Sequence, residues 1–126
     1  MIRLTITLFH TAIAASTTTG GVWFLLQAIA CKAWEMGFYR SLSIETSAWL
    51  LSAWVVVVIG GAHLVAVWAW LIGSRAGGIT TILITGMLTP ALPALIGLPL
   101  LLSGGLIFLD MLVSANRAQL PPNAAA

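Results

Sequence analysis

The stretch ITTILITGMLTPALPALIGLPLLLSGGLIFLDMLV, residues 79–113, carries one charged side chain, Asp110, and three prolines, Pro90, Pro93 and Pro99. Wound as a single helix at about 1.5 Å per residue, it would be roughly 50 Å long. The hydrocarbon core of a bilayer is about 30 Å thick and takes roughly 20 helical residues to cross. The segment is therefore two short spans joined by a turn, or one span with a broken entry. The choice fixes the side of the membrane reached by the C-terminal end, and with it which buried polar groups can meet.

Two further apolar runs precede it, residues 4–30 and 47–72, each long enough to span. The whole chain of 126 residues is 60% hydrophobic and 6% charged, with a mean hydropathy of +1.08. Soluble domains carry about 25% charged residues, so this chain cannot cover a soluble surface. The β-branched run Val55–Val58 and Ile59 would suggest a buried strand elsewhere. A lone strand in lipid leaves its backbone unpaired, so helix is expected instead. The reading is an all-α integral membrane bundle in one membrane domain, residues 1–126, with no separate aqueous domain.

Four spans are favoured: 4–30, 47–72, 79–96 and 98–115, the last two folding as a hairpin about Gly97-Leu98-Pro99. Arg3, Arg75 and Arg117 then share one side, against Lys32 and Arg40, and both chain ends are cytoplasmic. The alternative makes residues 78–92 a re-entrant segment and leaves three spans, the last near 94–114. Trp49 and Trp54 at one end of the second span, with Trp68 and Trp70 at the other, form an aromatic belt. Gly73 to Gly78 makes a short turn.

Residues 31–46 mix Lys32, Glu35, Arg40 and Glu45 with Trp34, Phe38 and Tyr39, the composition of an interfacial segment. Ser41 or Ser43 is placed to cap the following helix, and Glu45 suits its first turn. Residues 116–126 form a polar, flexible tail. The N-terminus imitates a signal peptide, with Arg3, an apolar stretch and Ala12-Ile13-Ala14. Apolar character continues through Val22 to Leu26, so a retained first span is expected. Cys31 is the only cysteine, which excludes an intrachain disulfide and any Cys/His zinc spacing. Its place beside Lys32 at a membrane edge makes it an ordinary small residue or a lipidation site. The net charge of +2 is spread over loops. It fits membrane orientation and no nucleic-acid partner.

The candidate site residues are polar or small. His63 is deepest, and His10 lies about six residues into the first span. Antiparallel packing would put them at depths within about 5 Å of each other. That permits ligation of a haem b between the two spans, or of a chlorophyll-type pigment by His63 alone. The bland alternative is a pair of structural histidines bonded to neighbouring hydroxyls or carbonyls. Asp110 is a polar intramembrane residue. In the four-span arrangement it joins the histidines' side and can pair with one of them; otherwise it anchors at the interface with Arg117. Ser16 with Gly20, and Thr17 with Gly21, have small-xxx-small spacing for close helix approach. Gly60, Gly61, Gly104 and Gly105 give the other spans similar faces. Ser103 lacks a base or an oxyanion scaffold, and no phosphate loop, zinc or protease motif is present. An enzyme is not expected.

In size and hydropathy the chain resembles haem-bearing membrane anchors of respiratory enzymes and small four-helix multidrug exporters. Its first span lacks the membrane-embedded glutamate that such exporters use for proton and cation exchange. The leading functional expectation is a non-catalytic accessory subunit of a larger energy-transducing complex, respiratory or photosynthetic, in a bacterial inner membrane. It would act by packing on other membrane subunits and lipids. The alternatives are a small homo-oligomeric transporter or channel, and a haem b anchor for electron transport using His10 and His63.

Overall fold

A computed structural model describes residues 1–38 and 44–121, without the side chains of 31–38 and 44–47. Every element among the described residues is helical: α1 (Ile2–Phe38), α2 (Ile44–Leu71), α3 (Arg75–Leu88), a 3₁₀ turn (Thr89–Ala91) and α4 (Ala94–Gln119). Three stretches are long and apolar enough to cross a membrane: Ile2–Ala30, Ala48–Leu71 and Ala94–Gln119. With 14 residues, α3 is about 21 Å long and shorter than those spans.

The turn expected at Gly97-Leu98-Pro99 is not where the chain breaks. The break lies at residues 89–93, and the helical segments run 75–88 and 94–119 instead of 79–96 and 98–115. Two prolines three residues apart explain this. Pro90 and Pro93 remove two backbone donors within one turn. Pro93 also confines Leu92 to extended backbone, at φ −102 and ψ 150. Pro93 then opens α4, its carbonyl accepting from Ile96 N–H at 2.9 Å and Gly97 N–H at 2.8 Å. Pro99 removes one donor near the start of α4 and the helix continues through it.

Residues 31–38, the first half of the stretch read as interfacial, are helical and continuous with α1, Gly37 included. Lys32 and Glu35 are good helix formers, and leaving the apolar layer does not end a helix. Tyr39, Arg40 and the capping candidates Ser41 and Ser43 lie outside the described residues, as do residues 122–126 of the tail. The turn after α2 is a Schellman closure. Gly73 takes φ +101, its N–H bonds to Trp70 O, and Ser74 N–H bonds to Ala69 O, both at 2.9 Å. Ser74 then caps α3 by accepting from Gly77 N–H at 3.2 Å.

The helices sort into two compact units, Met1–Leu8 with Val65–Ala126, and Phe9–Leu64. The first is cored by Ile6, Val67, Trp70 and Ile107, with Ile82 and Met111 packed against them. Trp70 is thus a core residue, whereas Trp49, Trp54 and Trp68 are exposed, as a lipid-facing belt requires. Within this unit α3 and α4 pack antiparallel. A Cβ on Gly104 would stand 3.1 Å from Thr85 Cγ2, one on Gly97 3.1 Å from Thr89 O, and one on Gly78 would strike Met111. A Cβ on Gly77 would meet Ala66 O and Trp70 N at 2.7 Å, so α2 and α3 also touch backbone to backbone.

The second unit is an antiparallel pair formed by α1 and α2. Gly21 lies against Val57, and Gly60 against the backbone of Thr18. Thr17 and Thr18 return their hydroxyls to Ile13 O and Ala14 O at 2.8 Å. The polar middle of α1 therefore satisfies itself inside a helix. Both units expose large apolar side chains, among them Val58 in α2 and Leu102 in α4. Water makes such surface unfavourable by about 25 cal/mol per Å², and lipid does not.

Candidate functional site

The deepest polar feature is a pair of imidazoles. His10 projects from α1 and His63 from α2, where the approach at Gly21 and Gly60 brings the two helices close. Both rings are 0% exposed. His10 Nδ1 and His63 Nε2 are 2.9 Å apart and share a hydrogen. The rings meet edge to face, centroids 5.1 Å apart and planes at 81°. Phe9 adds an edge contact to His10, with centroids 5.8 Å apart. Among the described residues His63 Nδ1 has no hydrogen-bond partner, and neither has the buried hydroxyl of Thr11, the residue after His10.

This geometry does not fit a haem held by both histidines. An imidazole–metal bond is about 2 Å long, so two axial ligands stand about 4 Å apart across a flat macrocycle. Here the nitrogens are in direct hydrogen-bond contact, and the rings are nearly perpendicular. A pigment on His63 alone could not use Nε2, which His10 occupies. Among the described residues, no three of His, Cys, Asp and Glu gather as a metal site.

The arrangement can hold and pass a proton. In a neutral pair one ring donates and the other accepts. If His10 Nδ1 donates, His63 carries its own hydrogen on Nδ1; if His63 Nε2 donates, its Nδ1 is bare. Passing the shared hydrogen from His10 to His63 makes His63 Nδ1 an acceptor only once that atom has released its own proton and His10 Nε2 has taken one up, and His63 Nδ1 has no partner among the described residues.

Asp110 joins neither a histidine nor Arg117. Its carboxylate is gripped by Arg3, with Nε to Oδ1 at 3.0 Å, Nη2 to Oδ1 at 2.9 Å and Nη2 to Oδ2 at 2.8 Å. Arg3 also reaches Ser114 Oγ at 3.3 Å and lies 5.9 Å from the ring centre of Trp70. Arg3 competes better than Arg117 because it comes from a neighbouring helix. Arg117 sits two turns further along α4, beyond easy reach of its own helix. The Arg3 partnership was recoverable from the four-span reading, which places both residues on one side.

The small residues divide sharply. Gly21, Gly60 and Gly104 are used in packing, while a Cβ on Gly20, Gly61 or Gly105 would meet nothing within 4 Å. Ser16 is exposed. Ser103 donates to Leu100 O at 2.7 Å, the back-bond expected of a helical serine. Cys31 has no described side chain.

The fold and these sites define an all-helical protein with three helices fit to cross a membrane and a buried imidazole pair. Comparison with protein-family models, with curated proteins and with solved structures finds no match to this chain.

Proposed function

We propose that the chain is a non-catalytic accessory subunit of a larger membrane complex and acts by helix packing. The glycines that the fold leaves open carry this reading. Glycine in a helix interior costs about 1 kcal/mol relative to alanine. Gly21, Gly60 and Gly104 offset that by close internal contacts, whereas Gly20, Gly61, Gly86 and Gly105 have open space where a side chain would go. In lipid, small residues on an outer face favour association with another helix. The proposal extends to an energy-transducing assembly, respiratory or photosynthetic, of a bacterial inner membrane. Size and apolar composition support that setting. Native electrophoresis of gently solubilised membranes tests it, with co-migrating subunits expected. A lone monomer, with no partner recovered, would dismiss the reading.

The finer topology belongs to the same proposal. The Arg3–Asp110 pair supports an even number of crossings, because it ties the start of α1 to the late part of α4. Together α3 and its 3₁₀ turn reach about 27 Å, close to the hydrocarbon thickness of about 30 Å. The chain then crosses four times, with a proline-broken third crossing and both ends on one side. In a Cys31→Ala background, cysteine at Ala91 should label only from the face opposite the termini. Labelling from the same face as the termini would leave the third segment re-entrant.

A second reading, a small homo-oligomeric transporter or channel, is favoured by the imidazole pair alone. Intramembrane histidines commonly mark proton paths, and His63 Nδ1 is an open end for one. Proton flux in proteoliposomes should fall on His63→Ala. Flux that does not respond to this change would remove the transporter.

A further inference from the structure

In the first unit, beside the start of α1, a cavity of about 250 Å³ is lined by Arg3, Trp70, Ser74, Arg75, Asp110 and Ser114. Both Asp110 oxygens are held by Arg3 through Nε and Nη2. Among the described residues, none of the Arg3 hydrogen bonds uses its Nη1 edge. Arg75 is the first residue of α3, next to its cap, and forms no ion pair among the described residues. Two guanidiniums thus border a cavity holding one carboxylate that is already neutralised. The positive end of the α3 dipole points the same way.

A second hollow, of about 320 Å³, shares Arg75 and Met111 with the first and is otherwise lined by apolar side chains, including Ile79, Leu83, Phe108 and Leu112. These residues recur at three- and four-residue spacing on α3 and α4, so the hollow is a groove along the two helices. From Arg75 to Leu83 it runs about 12 Å toward the apolar middle of the helices.

We infer that the two hollows form one binding site for an anionic phospholipid. The phosphate sits between Arg3 and Arg75, Ser74 and Ser114 offer hydroxyls to the headgroup, and one acyl chain lies in the α3–α4 groove. Guanidinium matches phosphate oxygens in charge and in planar two-point geometry. Trp70, itself almost wholly buried, forms part of the cavity wall. A free phosphate would use only the first hollow, so the continuous apolar groove selects a lipid.

The test uses the purified full chain in mild detergent, with phosphatidylglycerol, phosphatidylcholine and inorganic phosphate as probes, read by native mass spectrometry and thermal shift. Phosphatidylglycerol should be retained and raise Tm, phosphatidylcholine should do so at least tenfold less well, and millimolar phosphate should neither stabilise nor compete. Arg75→Gln should weaken phosphatidylglycerol binding by about tenfold, and Arg75→Lys should recover part of it. Leu83→Trp, at an exposed groove position, should weaken lipid binding without lowering the Tm of the lipid-free protein. Equal retention of both lipids, or an unchanged affinity in Arg75→Gln, overturns the site. Competition by inorganic phosphate alone overturns the lipid assignment.

Discussion

Gly60 and Gly61 are neighbours in α2, yet alanine at the two positions should have opposite effects. A Cβ on Gly60 would lie 2.8 Å from Thr18 N and 3.1 Å from Thr18 Cα, backbone atoms that cannot rotate away. Ordinary carbon contact is about 3.5–4.0 Å, so α1 would have to retreat by roughly 0.7 Å. Overpacking of this kind costs about 1–3 kcal/mol. The same retreat stretches the 2.9 Å bond between His10 and His63, one turn further along α2, which adds about 1 kcal/mol. Alanine's better helix propensity returns about 1 kcal/mol. Gly60→Ala should therefore lose about 1–3 kcal/mol net, a Tm fall of roughly 5–10 °C in detergent. A Cβ on Gly61 meets nothing within 4 Å, so Gly61→Ala should match the parent or exceed it. Matched thermal denaturation of the three proteins decides the matter. Equal losses in both variants would refute the α1–α2 contact. The same pair also probes the proposed function: Gly61→Ala should weaken recovery of partner subunits while leaving the protein itself stable.

Asp110→Asn should cost only about 1 kcal/mol, because the Arg3 and Asp110 side chains are 44% and 30% exposed; a double-mutant cycle with Arg3→Gln checks it, and strict additivity would deny the pair. His63→Ala should lose about 2–4 kcal/mol, through a cavity and a His10 nitrogen left without its partner; His63→Gln should recover part of this in thermal denaturation. Replacing Pro90 and Pro93 together by alanine should raise helical circular dichroism and weaken α3–α4 packing. Pro99→Ala should leave the architecture intact and stabilise it, since the Leu95 carbonyl regains a donor.

Much of the fold is legible from composition and punctuation. α2 is bounded by tryptophans and by Gly73-Ser74, and the structure ends it there. The long apolar run is legible as two pieces, but the break lies at Pro90 and Pro93 and not at Pro99. Gly97-Leu98-Pro99 looks like a turn in isolation, whereas the paired removal of donors at Pro90 and Pro93 is the stronger local effect. Of the candidate site, the similar depth of His10 and His63 follows from antiparallel counting. Their direct contact depends on helix rotation and rotamers, which spacing does not encode. The small-residue pattern flagged Gly20 and Gly21 alike. Only the structure separates the one used inside from the one left open, because one helix position turns the face by about 100°.

Arg3 and Asp110 are 107 positions apart, and that separation bears on how the chain is made. A ribosome adding about 5–20 residues per second exposes the arginine several seconds before its acid exists. Through that interval the guanidinium has no Asp110 carboxylate to pair with. The last helix arrives carrying the countercharge, and only then can that end of the structure close. A chain cut short before residue 110 would keep the arginine and lack the clasp that joins the first residues of α1 to α4.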